Sequence, residues 1–188
     1  MKTLPGSESA GAAGDIAFLA TEENAGFPAC DTNAAMLRQA ERLLAQLTQG
    51  QFTKRIPPAD GTIGAHLRHV IEFYQAFFAQ WRSGQVRYDL RERSLAVETQ
   101  LTQAKNAVAG LQTQLPRVTA NTPLKITHFD GGRSYSDTTR ELSYLADHAT
   151  HHFAVIKLLA ALEGIQIEKG FGYAPSTLAA TRQSANSE

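Results

Sequence analysis

Residues 136–164 read SDTTRELSYLADHATHHFAVIKLLAALEG, and this stretch decides the fold class. Leu142, Leu145, Val155, Ile156, Leu159 and Leu162 recur at helical spacing. Upstream, Ser136 or Asp137 can cap a helix start, and Gly164 suits a helix end. His148 and His152 lie on the same stripe as Leu145, Ile156 and Leu159. Four residues advance a helix by about 6 Å and turn it about 40° beyond one revolution, so the two imidazoles point the same way. Facing a bundle interior, two uncompensated imidazoles are costly to bury, and a shared metal ion removes that cost.

Working outward, Ala35, Met36, Leu43, Leu44 and Leu47 predict a first helix from Asp31, with Gly50 at its C-terminal cap. After Pro57 and Pro58, Thr62 can cap a second helix that runs to about Arg82 and is closed by Ser83 and Gly84. Phe73, Tyr74, Phe77, Phe78 and Trp81 make that helix apolar over much of its circumference. It should be buried from more than one side, and its aromatics read as core rather than as a ligand pocket. A third helix is expected from about Ser94 to Leu115, with Pro116 just beyond it.

The linker from Pro116 to Ser136 is too long to be structureless in a compact domain. Ile126, Phe129, the turn residues Asp130-Gly131-Gly132 and Tyr135 predict a short β-hairpin there. The expected architecture is an all-α four-helix bundle with that hairpin before helix four. Residues 1–30 read as a loosely attached arm and 31–188 as one domain. Its tail, with Phe171, Tyr173 and Pro175, should pack back on the bundle, and Ser176 or Thr177 can cap a last short turn.

Eighteen basic residues balance eighteen acidic ones among the 188, which removes the long-range field that nucleic acid or an anionic membrane would attract. Arg87, Arg91 and Arg93 alternate with Asp89 and Glu92 and read as a solvated loop of mixed charge. Cys30 is the single cysteine, so an internal disulfide and a cysteine-rich zinc site are excluded and a cytoplasmic setting is expected. No apolar run is long enough to span a bilayer. The glycines never combine into a phosphate loop, a serine elbow or a dinucleotide fingerprint.

Helix two carries a second histidine cluster, His66 and His69. Imidazole suits zinc, nickel, iron or copper, and catalytic sites often use three protein ligands with one position left open. His66 and His69 differ in direction by about 60° on an ideal helix, so one of them should reach an ion shared with His148 and His152. Spacing alone does not choose between them.

The string HLRHVIE over residues 66–72, together with HATHH over 148–152, resembles the DinB-like metal-binding bundles, a family that includes YfiT-type proteins. The resemblance covers residues from about 32 to 164. It implies that His69, His148 and His152 ligate the metal, with His66 and His151 outside the ligand set, because the family's first ligand precedes a hydrophobic pair and an acidic residue, here Val70, Ile71 and Glu72. It also implies a four-helix bundle with an unusual crossover, often dimeric. Some members carry out thiol chemistry: bacillithiol transfer, mycothiol-dependent isomerisation, or thiohistidine synthesis with iron. Members of the last kind carry a second catalytic domain after the bundle, whereas residues 165–188 are all that follow helix four here, so that activity is not expected.

Two functional expectations follow. As an enzyme, the chain would use one divalent transition metal (Zn, Ni or Fe) with an open position to activate a thiol or water, acting as a transferase or hydrolase on a small molecule such as a low-molecular-weight thiol. Glu72 is the candidate proton acceptor, or alternatively the group that orients His69, and His66 and His151 are candidate proton shuttles. As a non-enzyme, it would hold a structural or sensory metal clip, with His66 or Glu72 closing the coordination as a fourth ligand. A homodimer is expected from the family and from the aromatic second helix, with neither nucleic acid nor membrane as partner.

Overall fold

The computed structural model describes residues 27–174 and Thr177. The expected arm, apart from its last four residues, and the last turn expected around Ser176 lie outside them.

Helix α1 runs Pro28–Gln46 and buries Met36, Leu37, Ala40, Leu43 and Leu44 on one stripe. It begins at Pro28 rather than Asp31, because proline is preset for the first helical position and leaves Asp31 to complement the dipole in the first turn. It also ends before Gly50. Thr48 and Gln51 form a reciprocal capping box that opens a separate short helix, α2 (Gln49–Thr53), and Gly50 lies inside it. Helix α3 (Ile63–Gln80) starts at Thr62, whose hydroxyl accepts from the Ala65 N–H at 3.0 Å. It closes through a tight turn over Trp81–Ser83 into Gly84, at φ +75°.

The expected third helix is two. Helix α4 (Leu95–Thr99) and helix α5 (Leu101–Gln114) meet at Gln100, which is extended. The Gln49 side chain bridges the break, donating to Thr99 O at 2.8 Å and accepting from the Leu101 N–H at 2.9 Å. The interruption therefore leaves those two backbone groups paired. Gly64 is what lets α4 lie on α3: a Cβ there would sit 2.2 Å from the Glu98 carbonyl oxygen.

Strands β2 (Pro123–Thr127) and β3 (Arg133–Asp137) form the expected hairpin, paired from Pro123↔Asp137 to Thr127↔Arg133. Its loop contains Gly131 at φ +81°, and the Gly132 N–H donates to the Asp130 carboxylate. A short strand β1 (Gln85–Val86) adds parallel to β2. Strand β3 leads directly into helix α6 (Thr138–Leu162), capped by the Asp137 carboxylate accepting from the Arg140 N–H at 2.8 Å.

Helix α1 packs on α5 and α6, and α3 packs on the same two. Among the four long helices, α1 thus stands diagonal to α3 and α5 diagonal to α6, which is the crossover bundle. Phe73, Tyr74 and Phe77 of α3 are buried, while Phe78 and Trp81 pack on the edge of the core. The tail folds back: Phe171 stacks on Phe153 at 4.8 Å, and the Gly172 N–H donates to Gln39 at 3.0 Å. No helix among the described residues is long and apolar enough to cross a membrane.

Candidate metal centre

The contact between α3 and α6 brings the two histidine clusters together. His69 projects from α3, and His148 and His152 from successive turns of α6. Each of the three offers one ring nitrogen such that all these atoms lie within 4.8 Å of one another. Ligand nitrogens at about 2.0–2.1 Å from a common centre fall in that range, so the three could hold one metal ion. Among the described residues, no other group of histidine, cysteine or acidic side chains converges this way.

One donor is stranded. His148 Nε2 is buried with no hydrogen-bond partner, an arrangement that costs free energy unless something fills the gap. A cation fits the donor set and satisfies that atom. Burial first, then neighbouring histidines and, for His69 and His148, nearby arginines, push His69 down to about 4, His148 to about 4 and His152 to about 3. All three rings are therefore neutral at neutral pH, with a lone pair available to a metal.

The other expected participants are engaged elsewhere. His66 Nδ1 lies 3.1 Å from His152 Nδ1, and His66 Nε2 lies 3.2 Å from Asp60 O. Glu72 is buried, accepts from the Ser94 N–H at 2.8 Å, and lies between Arg68 Nε at 3.4 Å and Arg91 Nε at 3.8 Å. Neither belongs to the converging group. His151, next in sequence to His152, is exposed.

The surroundings contain residues that sequence reasoning passed over. Phe73 stacks on His148 with centroids 4.2 Å apart, and the Arg91 guanidinium covers the same Phe73 ring at 4.8 Å. Arg91 is not part of a solvated loop: its side chain is only 9% exposed, because β1 and the turn after it pin the segment against the bundle, with Val86 and Tyr88 buried. Tyr144 lies one turn before His148 with its ring 5.8 Å away, and Tyr88 stacks on Phe73 at 5.3 Å. Tyr88 and Tyr144 also line a cleft of about 430 Å³ that includes Phe129 and Tyr135 of the hairpin region together with Arg140 and Glu141. Glu141 accepts hydrogen bonds from Tyr88 Oη at 2.7 Å and Ser136 Oγ at 2.6 Å. Tyr144 was legible as a neighbour from its i, i+4 relation to His148. Tyr88 and Arg91 had no comparable signal.

FK506-binding protein 5 of Rhizopus delemar is 33% identical over 100 residues, covering 48% of this chain and 26% of that protein, so the chain spans about a quarter of that relative's length. No solved structure matches. The family model described as the DinB family matches residues 29–168, which takes in the whole bundle and all three converging histidines. This chain belongs to the DinB family.

Proposed function

We propose that the chain is a metal-dependent enzyme acting on a small molecule, by transfer of a low-molecular-weight thiol or by hydrolysis, with one divalent transition metal held by His69, His148 and His152. The observation that carries this reading is the convergence of three neutral imidazoles around a buried, partnerless His148 Nε2. No fourth protein donor joins the group among the described residues, which favours chemistry over a closed structural clip.

A zinc, nickel or iron ion bound there would supply Lewis acidity, lowering the pKa of a thiol or water at its free position. The chain's own residues contribute the remainder. Phe73, stacked on His148, holds that ring against rotation. Arg91 over Phe73 sets a cation beside the histidines, where it would stabilise negative charge developing on a substrate. Glu72 holds Arg91 and Arg68 in place rather than serving as the proton acceptor. The cleft behind Tyr144 falls within the roughly 300–1,000 Å³ typical of small-molecule sites.

The test is metal content per chain after gentle purification, for wild type, His69→Ala and His148→Ala. About one equivalent in wild type, lost in both variants, is expected, and metal-dependent thiol transfer and hydrolysis are then assayed on the loaded protein. A wild-type chain that cannot be loaded with zinc, nickel or iron overturns the reading. Loading without turnover would leave the metal as a structural or sensory element.

A further inference from the structure

His66 has both ring nitrogens committed, and the direction of each bond can be worked out. The Asp60 carbonyl oxygen can only accept, so the neutral His66 ring must carry its proton on Nε2 and donate it there. That leaves Nδ1 of His66 as a lone pair. The contact between His66 Nδ1 and His152 Nδ1, at 3.1 Å, then needs a proton from His152. His152 is therefore protonated on Nδ1 and bare on Nε2.

We infer that His66 is a positioning residue: the relay from His152 Nδ1–H to His66 Nδ1, and from His66 Nε2–H to Asp60 O, locks His152 in the tautomer whose remaining lone pair, on Nε2, is the one free for a metal. The backbone is shaped for this. Gly61, at φ +88°, lies in the left-handed region that side chains disfavour, and it follows the carbonyl that His66 must reach. A Cβ at Gly61 would stand 3.4 Å from His66 Nε2, at the edge of the space the ring occupies. The Thr62 cap then starts α3 so that His66 stands in its first turn, between Asp60 and α6. Hydrogen bonding from a ligand's second nitrogen fixes ring orientation and raises basicity, and losing such a partner typically weakens metal binding about 10–100-fold. The inference rests on the proposed metal reading for its consequence, but the tautomer itself is a property of the metal-free chain.

The experiment has two readouts on wild type, His66→Asn and His66→Leu. Nitrogen-15 NMR of the histidine rings in metal-free protein, at a pH where they are neutral, reports which nitrogen of His152 is protonated. Wild type should show Nδ1–H, and His66→Leu should shift His152 toward the Nε2–H form favoured by free imidazole in water. Asparagine places its Oδ1 near the position of His66 Nδ1, so His66→Asn should keep the wild-type tautomer. Zinc titration should then give an affinity loss of about 10–100-fold for His66→Leu and within about fivefold of wild type for His66→Asn, with His69, His148 and His152 all intact. An Nε2–H tautomer in wild type, or a His66→Leu variant matching wild type in both readouts, overturns the inference. If wild type binds no metal at all, the proposed function fails, and the NMR result alone upholds or overturns the relay.

Discussion

Two polar sites, one fully buried and one half-buried, span the same pair of helices, α3 and α6, and they are built in opposite ways. At the first, Asn33 of α1 is fully buried, with Nδ2 donating to Ala29 O at 2.7 Å and Leu142 O at 3.0 Å. Its Oδ1 accepts from Tyr74 Oη at 2.6 Å. Neither side chain has a polar atom left over, and burial raises the Tyr74 pKa, so the hydroxyl stays a donor. At the second, the three histidines converge while His148 Nε2 has no partner. The closed network ties α1, α3 and α6 into one arrangement. The open one stores an unmet bonding capacity that only a further group can satisfy. A polar cluster that is complete is read as structural, and one that is incomplete as a place for a ligand.

Substitution should separate the two. His148→Leu removes the stranded nitrogen and fills its space, so metal affinity should fall about a hundred- to a thousandfold. One ligand's share of the roughly 10–16 kcal/mol typical of four-ligand zinc sites, about 2.5–4 kcal/mol, corresponds to that range. Thermal stability of the metal-free protein should be unchanged or raised, because a buried orphan has been replaced by apolar surface. A large loss of metal-free stability would place His148 with Asn33 as a structural residue and erase the distinction.

Asn33→Ala is the converse. It strands the Tyr74 hydroxyl and takes the second donor from the Leu142 carbonyl, and should cost about 2–3 kcal/mol in chemical denaturation. Metal affinity should stay within a few-fold of wild type, since Asn33 touches none of the histidines. Coupled loss of metal and stability would show that the two sites form a single unit.

Acid titration of the metal-free chain sharpens the contrast further. Folded His69, His148 and His152 take up protons near 4, 4 and 3, below the ordinary 6.5, so between these limits the unfolded chain binds more protons. Their contribution should be level above about pH 6.5 and decline as pH falls toward 4. Asn33→Ala should keep that slope, and a variant with all three histidines changed to leucine should flatten it, as read from denaturation midpoints across the range. The smallest effect is expected where water already competes: breaking the exposed Arg42–Glu168 pair at 2.7 Å with Arg42→Ala should cost under about 1 kcal/mol and leave metal binding alone.

Much of this was legible in the chain. The His148/His152 pair, the long fourth helix and the hairpin before it follow from local periodicity and turn chemistry, which depend on residues near in sequence. Gly50 and Gln100 show where that reasoning fails. A glycine that suits a helix end was captured by a capping box beginning at Thr48, and an apparently continuous helix was split where Gln49, far away in sequence, could pair the broken backbone. Gly64 was the visible clue to the latter, a glycine inside a helix with no cap to explain it.

By itself, the sequence determined that the chain forms a helical bundle with two imidazoles facing one way from α6, because helical pitch and apolar spacing need no long-range information. It left His66 and His69 as alternatives, and the family resemblance pointed to His69. Only the tertiary structure decided how each is used. The packing of α3 on α6 sets the axial offset and rotation between the helices, and these place His69 toward the pair while turning His66 to the Asp60 carbonyl and the far side of His152. A segment folded in from the turn after β1 decided that Glu72 gains Arg91 beside Arg68, its neighbour on the same helix, and that Arg91 is drawn over Phe73.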